Sequence, residues 1–185
     1  TQSLETLATE WLQARLRALP PTEKIHFVTH SMGGIVVRLW LREQGIPANL
    51  GRVVMLAPPN AGSEVPDRFN GFPPFRWFTG QNGRRLTTAP DALPRALGPW
   101  PASGSALGVI AGDRPLNPLM ALWLPKPNDG KVTVTTTHLA GERDHVVVPY
   151  SHTWLAWRHG TIVQVKAFLR DGHFRPDTPA AGQNR

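Results

Sequence analysis

The chain has 185 residues, 20 Lys+Arg against 13 Asp+Glu for a formal charge of +7, and no cysteine. That length suits one domain with one core, and 41% hydrophobic with 18% charged residues excludes a disordered chain. The missing cysteines exclude disulfides, thiolate zinc sites and cysteine nucleophiles, while no apolar run approaches the ~20 residues that span a bilayer.

The amino end, TQSLETLATEW, has neither the basic start nor the apolar stretch of a signal peptide, and the compartment stays open. It reads as a helix: Ser3 can cap it, Leu4, Leu7, Trp11 and Ala18 fall near helical spacing, and Pro20-Pro21 stop it. Ile25 to Thr29 reads as a strand and runs straight into His30-Ser31-Met32-Gly33-Gly34. Ile35 to Leu41 predicts a buried helix that Gly45 can cap, and Arg52 to Ala57 a second strand ended by Pro58-Pro59. From Ser63 to about Ser105 the chain is rich in Pro, Gly and Arg and shows no period. Phe69, Phe72, Phe75, Trp77 and Phe78 crowd that excursion, and loops of this length are usually functional or disordered. Strands resume at Ala106–Ala111 and Asp144–Pro149, and a helix over Thr161–Leu169 closes the fold at Asp171-Gly172. The pattern predicts an α/β domain on a mostly parallel sheet, with residues 1–175 as the domain, 63–105 as a lid- or cap-like insertion and 176–185 as a flexible tail. The basic residues are scattered, Arg84-Arg85 being the only adjacent pair, so the charge reads as solvated surface and no nucleic-acid partner is expected.

Thr29-His30-Ser31-Met32-Gly33 is the informative place. A serine between a strand and a helix, with small neighbours two residues away, makes a turn that lifts its hydroxyl clear of the sheet. The hydroxyl then faces the start of the following helix, where the backbone N–H of Met32 can stabilise an oxyanion. Gly33 meets the size requirement, whereas Thr29 stands where glycine is usual. A serine needs a base, and the base needs an orienting acid. His26 lies inside a strand, and the sharp turn is expected to point His30 away. His152, directly after the last strand, is the candidate base, and His145, His159 and His173 fit worse. For the acid, Asp113 follows the third strand, Asp129 sits in Asn128-Asp129-Gly130, and Asp144 begins the fourth strand. All three remain candidates.

Four segments in order resemble the α/β-hydrolase superfamily, in particular small bacterial esterases and lipases: Val28–Gly34, Leu56–Ser63, Asn128–Val132 and Ser151–Thr153. The resemblance spans Leu4 to Phe174 and implies an α/β-hydrolase fold. It implies Ser31 as nucleophile, His152 as base, Met32 as first oxyanion donor and Asp129 as the acid, because such lipases carry an Asp-Gly pair before a valine. It also implies a small-molecule or lipid-like ester substrate, no metal and no cofactor, with Phe69, Phe72, Phe75, Trp77 and Phe78 as candidate lining. An acyltransferase on the same residues, or a catalytically weak hydrolase-like binding protein, is the alternative. The family's usual opening strand and His-Gly loop, source of a second oxyanion N–H, have no counterpart in the chain, and one lost donor costs about 10²–10³ in rate. The expectation is therefore a fold without its usual N-terminal strands, in which Ile25–Thr29 is an apolar edge open to homo-oligomeric pairing.

Overall fold

The computed structural model describes residues 2–69, 71, 81–101, 105–116, 122 and 124–176. Helix α1 opens with Leu4–Thr6, continues as a π-helical stretch over Leu7–Leu12 and ends with Gln13–Arg17. Ser3 caps it, its Oγ accepting the Thr6 N–H at 3.1 Å. The buried stripe differs from the expected one. Leu4 and Ala8 are buried and Leu12 and Leu16 pack beside them, while Trp11 is 54% exposed and Ala18 lies in solvent. A spacing of four drifts around an α-helix, and the wider π turns rotate it back onto the core.

Strand β1 (Ile25–His30) leads into helix α2 (Met32–Gln44), which ends at Gly45, and strand β2 (Leu50–Leu56) follows. Among its described residues the excursion includes the short helices α3 (Glu64–Phe69) and α4 (Leu93–Ala96), with a further helical turn over 81–84. Strand β3 (Leu107–Gly112), helix α5 (Val134–Thr137), strand β4 (Asp144–Val148), a 3₁₀ turn (Leu155–Trp157) and helix α6 (His159–Asp171) complete the order. The four strands form one parallel sheet in the order β1-β2-β3-β4. Among the described residues β1 pairs only with β2, and Val28 on it is 49% exposed.

The period of two divides the sheet's side chains between two cores. Val53 and Met55 of β2 and Leu107 and Val109 of β3 pack with α1 and α2. Val54, Leu56 and Ile110 face the other way, against Leu155 and Phe168. Helices thus cover both faces, as a parallel sheet requires. The far part of the excursion joins the first core: Leu86 and Trp100 are buried there, and the Asn82 amide donates to Gln2 O at 2.7 Å.

Arg38 on α2 is 5% exposed and donates to uncharged oxygens. It donates to Asn60 O and Oδ1 and to the carbonyls of Pro94 and Gly98, joining α2 to the loop after β2 and to the end of the excursion. Burial lowers its pKa to about 10, so it remains cationic near neutrality. Arg38→Met keeps the apolar stem and strands those carbonyls. We expect urea unfolding to report a loss of about 2–4 kcal/mol.

Candidate active site

The site begins where β1 meets α2 with a single residue between them. Ser31 takes φ 54°, ψ −126°, a left-handed conformation that costs a non-glycine residue on the order of 1–3 kcal/mol. The turn is held from both sides: Ser31 N–H donates to Leu56 O at 2.8 Å, and Ser31 O accepts the Gly34 N–H at 3.1 Å. Close packing explains Gly34, whereas a side chain at Gly33 would make only ordinary contact. A Cβ on Gly33 would lie 3.4 Å from Thr29 Cβ, and one on Gly34 would lie 3.0 Å from Met55 Sδ. Thr29 therefore fits, although its buried Oγ1 has no hydrogen-bond partner among the described residues.

Ser31 Oγ lies 2.9 Å from His152 Nε2, and His152 Nδ1 lies 2.7 Å from Asp129 Oδ2. A carboxylate only accepts, so Nδ1 carries the proton and Nε2 is left to accept from the serine hydroxyl. His152 is 4% exposed and Asp129 2%. The Asn128-Asp129-Gly130 turn is tied off internally, with Asn128 Oδ1 accepting Gly130 N–H at 3.0 Å. Asp129 Oδ1 accepts the N–H groups of Lys131 at 2.9 Å and Val132 at 2.8 Å, leaving Oδ2 for the imidazole. Asp129 O also accepts the His152 backbone N–H at 3.0 Å.

Of the three acids, Asp129 alone is hydrogen-bonded to His152. Asp113 lies 3.5 Å from Arg114 Nε, and Asp144 accepts the backbone N–H groups of His145 and Phe174. Among the other histidines, His26 accepts from Arg52 N–H and His145 contacts Thr137 Oγ1. His30 requires a correction. The turn does not point it away: its Nε2 lies 3.0 Å from His152 O, and the two ring centres are 4.9 Å apart. Burial first, then the nearby His152, hold His30 below the ordinary histidine pKa. Met32 begins α2, where first-turn N–H groups have no partner within the helix. Phe69 is half-buried at the end of α3, and Phe72, Phe75, Trp77 and Phe78 lie outside the described residues.

Sequence reasoning missed the support for the acid turn. Ser63 Oγ donates to Lys131 O at 2.7 Å, and Glu64 Oε1 accepts from Thr133 Oγ1 at 3.0 Å. Ala61 N–H and Asn60 Nδ2 donate to Thr136 O and Thr137 O, at 2.9 and 2.8 Å. The loop after β2 is thus a brace for the segment that carries Asp129. Its polar residues, Asn60, Ser63 and Glu64, were the signal available in the sequence.

Among the described residues, His138, Glu142 and His145 form the one group of metal-ligand type, with ligand atoms within 4.8 Å of one another. It lies before and at the start of β4, the end opposite the His152 loop. The two rings stack at 3.8 Å and 18°, so a cation in the plane of one ring would lie out of the plane of the other. His138 Nδ1 is instead paired with Glu142 Oε1.

A parallel sheet covered on both faces, with a strained serine at a strand-to-helix turn and an imidazole and carboxylate behind it, defines an α/β-hydrolase architecture. The chain belongs to the alpha/beta hydrolase family, whose sequence model matches residues 2–182. Among curated proteins none matches by sequence. The mature form of Bacillus licheniformis lipase BlEst2 is similar in structure, with a TM-score of 0.66 at 18% identity, covering 91% of this chain and 74% of that one. The metagenomic carboxyl esterase MGS0156 gives a TM-score of 0.59 at 21% identity, covering 78% of this chain and 49% of the esterase. Phospholipase PlaB from Legionella pneumophila gives 0.60 at 18%, covering 88% and 47%. The chain therefore spans about half the length of the esterase and the phospholipase. No described helix is long and apolar enough to cross a membrane.

Gly112 at the end of β3 is what lets the acid turn come so close. A Cβ there would lie 2.3 Å from Tyr150 O and 2.9 Å from Asp129 Cβ. Gly112→Ala should push these apart. A lowered thermal midpoint, corresponding to about 1–3 kcal/mol, is the expected outcome of calorimetry.

Proposed function

We propose that the protein is a serine carboxylester hydrolase for short- or medium-chain acyl esters, with Ser31 as nucleophile, His152 as base and Asp129 as orienting acid. One observation carries this reading: a left-handed Ser31 whose Oγ, His152 Nε2, His152 Nδ1 and Asp129 Oδ2 form a continuous hydrogen-bonded chain. Ser31 Oγ bonds to the ester carbonyl carbon while its proton passes to His152 Nε2. The carbonyl electron pair moves onto oxygen, facing the Met32 N–H. Asp129 keeps the imidazolium oriented and offsets its charge. Collapse of the intermediate expels the alcohol, which takes the proton from His152 and leaves an acyl-serine. Water, deprotonated by the same Nε2, then releases the acid and restores Ser31.

Family membership and the lipase, carboxyl esterase and phospholipase among similar structures support ester chemistry. Phe69, Phe72, Phe75, Trp77 and Phe78 are the proposed lining of the acyl subsite, a reading that rests on their concentration in the sequence.

A fluorophosphonate probe should label the protein, and Ser31→Ala should abolish both labelling and nitrophenyl-ester turnover. Labelling that survives Ser31→Ala would sink the mechanism. Asp129→Asn should lower kcat by about 10³–10⁴, through loss of the correct imidazole tautomer. Asp113→Asn, at a side chain not bonded to His152, should stay within about threefold on this mechanism.

A further inference from the structure

We infer that His30 is a positioning residue for His152: its ring, carried on the same dipeptide as Ser31, tethers the backbone of the base so that base and nucleophile are held as one unit. This rests on the serine-hydrolase reading. His152 is held at its ring by Ser31 and Asp129 and at its backbone N–H by Asp129 O. Its own carbonyl is held by His30 Nε2 at 3.0 Å, across 122 positions of sequence. A carbonyl only accepts, so His30 Nε2 must carry a proton, and in the neutral ring Nδ1 does not. The arrangement closes a loop of contacts. Residue 31 takes the imidazole tip and residue 30 takes the peptide behind it, so a shift of the His152 loop breaks both contacts together.

The tether also places a second titratable ring against the base. With ring centres 4.9 Å apart, a protonated His30 opposes the positive charge that His152 acquires as Ser31 attacks. The groups facing His30 are His152 itself, with Asp129 and Lys131 from the acid turn. Burial first, then the charge of the His152 ring and that of Lys131, disfavour its protonation, whereas the His152 carbonyl and Asp129 favour it, and the balance lies below the ordinary histidine value. Protonation therefore sets in only as pH falls through that lowered value, where it adds a second loss to the acid limb of the rate profile.

The test compares the wild type with His30→Leu, which removes the donor, and His30→Gln, whose Nε2 replaces the donor without titrating. With a nitrophenyl ester, His30→Leu should lower kcat by about 10- to 100-fold with KM within about twofold, the signature of a misplaced base. His30→Gln should recover to within about fivefold of wild type, and its acid limb should follow one ionisation instead of two. A wild-type kcat in His30→Leu, or a His30→Gln variant no better than the leucine one, would overturn the inference. Imidazole ¹⁵N NMR on Ser31→Ala protein reads the tether without turnover. An Nε2–H tautomer at His30 supports it, and an Nδ1–H tautomer overturns it. Absent labelling and turnover in the wild type would remove the serine-hydrolase reading, while the NMR result would still decide the tether.

Discussion

A strand that delivers its chain into a helix through one residue leaves that residue little choice of backbone conformation. Ser31 is left-handed for this reason, and the rest of the site is arranged around where its hydroxyl then sits. The neighbouring strand ends the same way, with Ala57 at φ 46° directly after β2. In both cases the strained residue gives its N–H to the adjacent strand, Ser31 to Leu56 and Ala57 to Ile110, so the sheet itself holds the turns. Strain of on the order of 1–3 kcal/mol at each turn is sustainable only on a rigid frame, and the buried β2–β3 pair between two helical layers provides one.

Asp129 and His152 arrive from loops, which are the less rigid part of such a fold. The structure compensates with polar bracing. The loop after β2 holds the turn bearing Asp129 through Ser63 and Glu64, and Arg38 holds that same loop through Asn60. Arg38 is a buried cation among carbonyl oxygens. Its planar fork donates to four acceptors on two segments, one more than the three N–H groups of a lysine could serve. Positioning of Asp129 thus traces back to a helix whose first residue follows Ser31.

Two histidine pairs show how surroundings decide what one residue type can do. His30 and His152 are tilted at 46°, each with an identified partner for its ring, and His152 is backed by a buried carboxylate. His138 and His145 stack nearly flat at the other end of β4, where burial first, then His138, lowers the His145 pKa to about 4. On the proposed mechanism the first pair accepts a proton at one ring, whereas burial in the second keeps His145 neutral.

The strands and long helices were legible in the sequence because their signals are local: apolar periodicity, Ser3 at a cap, Gly45 and Gly172 at helix ends. Ser31 stood out because the elbow is a contiguous pattern, and His152 because it lies in the loop directly after the last strand. Choice among Asp113, after a strand, Asp129, in a turn, and Asp144, at the start of a strand, was not available from the residues themselves. Only the tertiary packing, with the turn against Gly112 and the brace from Ser63, brings Asp129 and neither of the others within hydrogen-bond distance of His152. The π stretch that rotates α1 also escaped, because its cause is the core it packs on and not the helix itself. His30 was misread for the same reason. Its direction depends on a carbonyl 122 positions away, and a hydrogen bond between distant segments leaves no trace in local pattern.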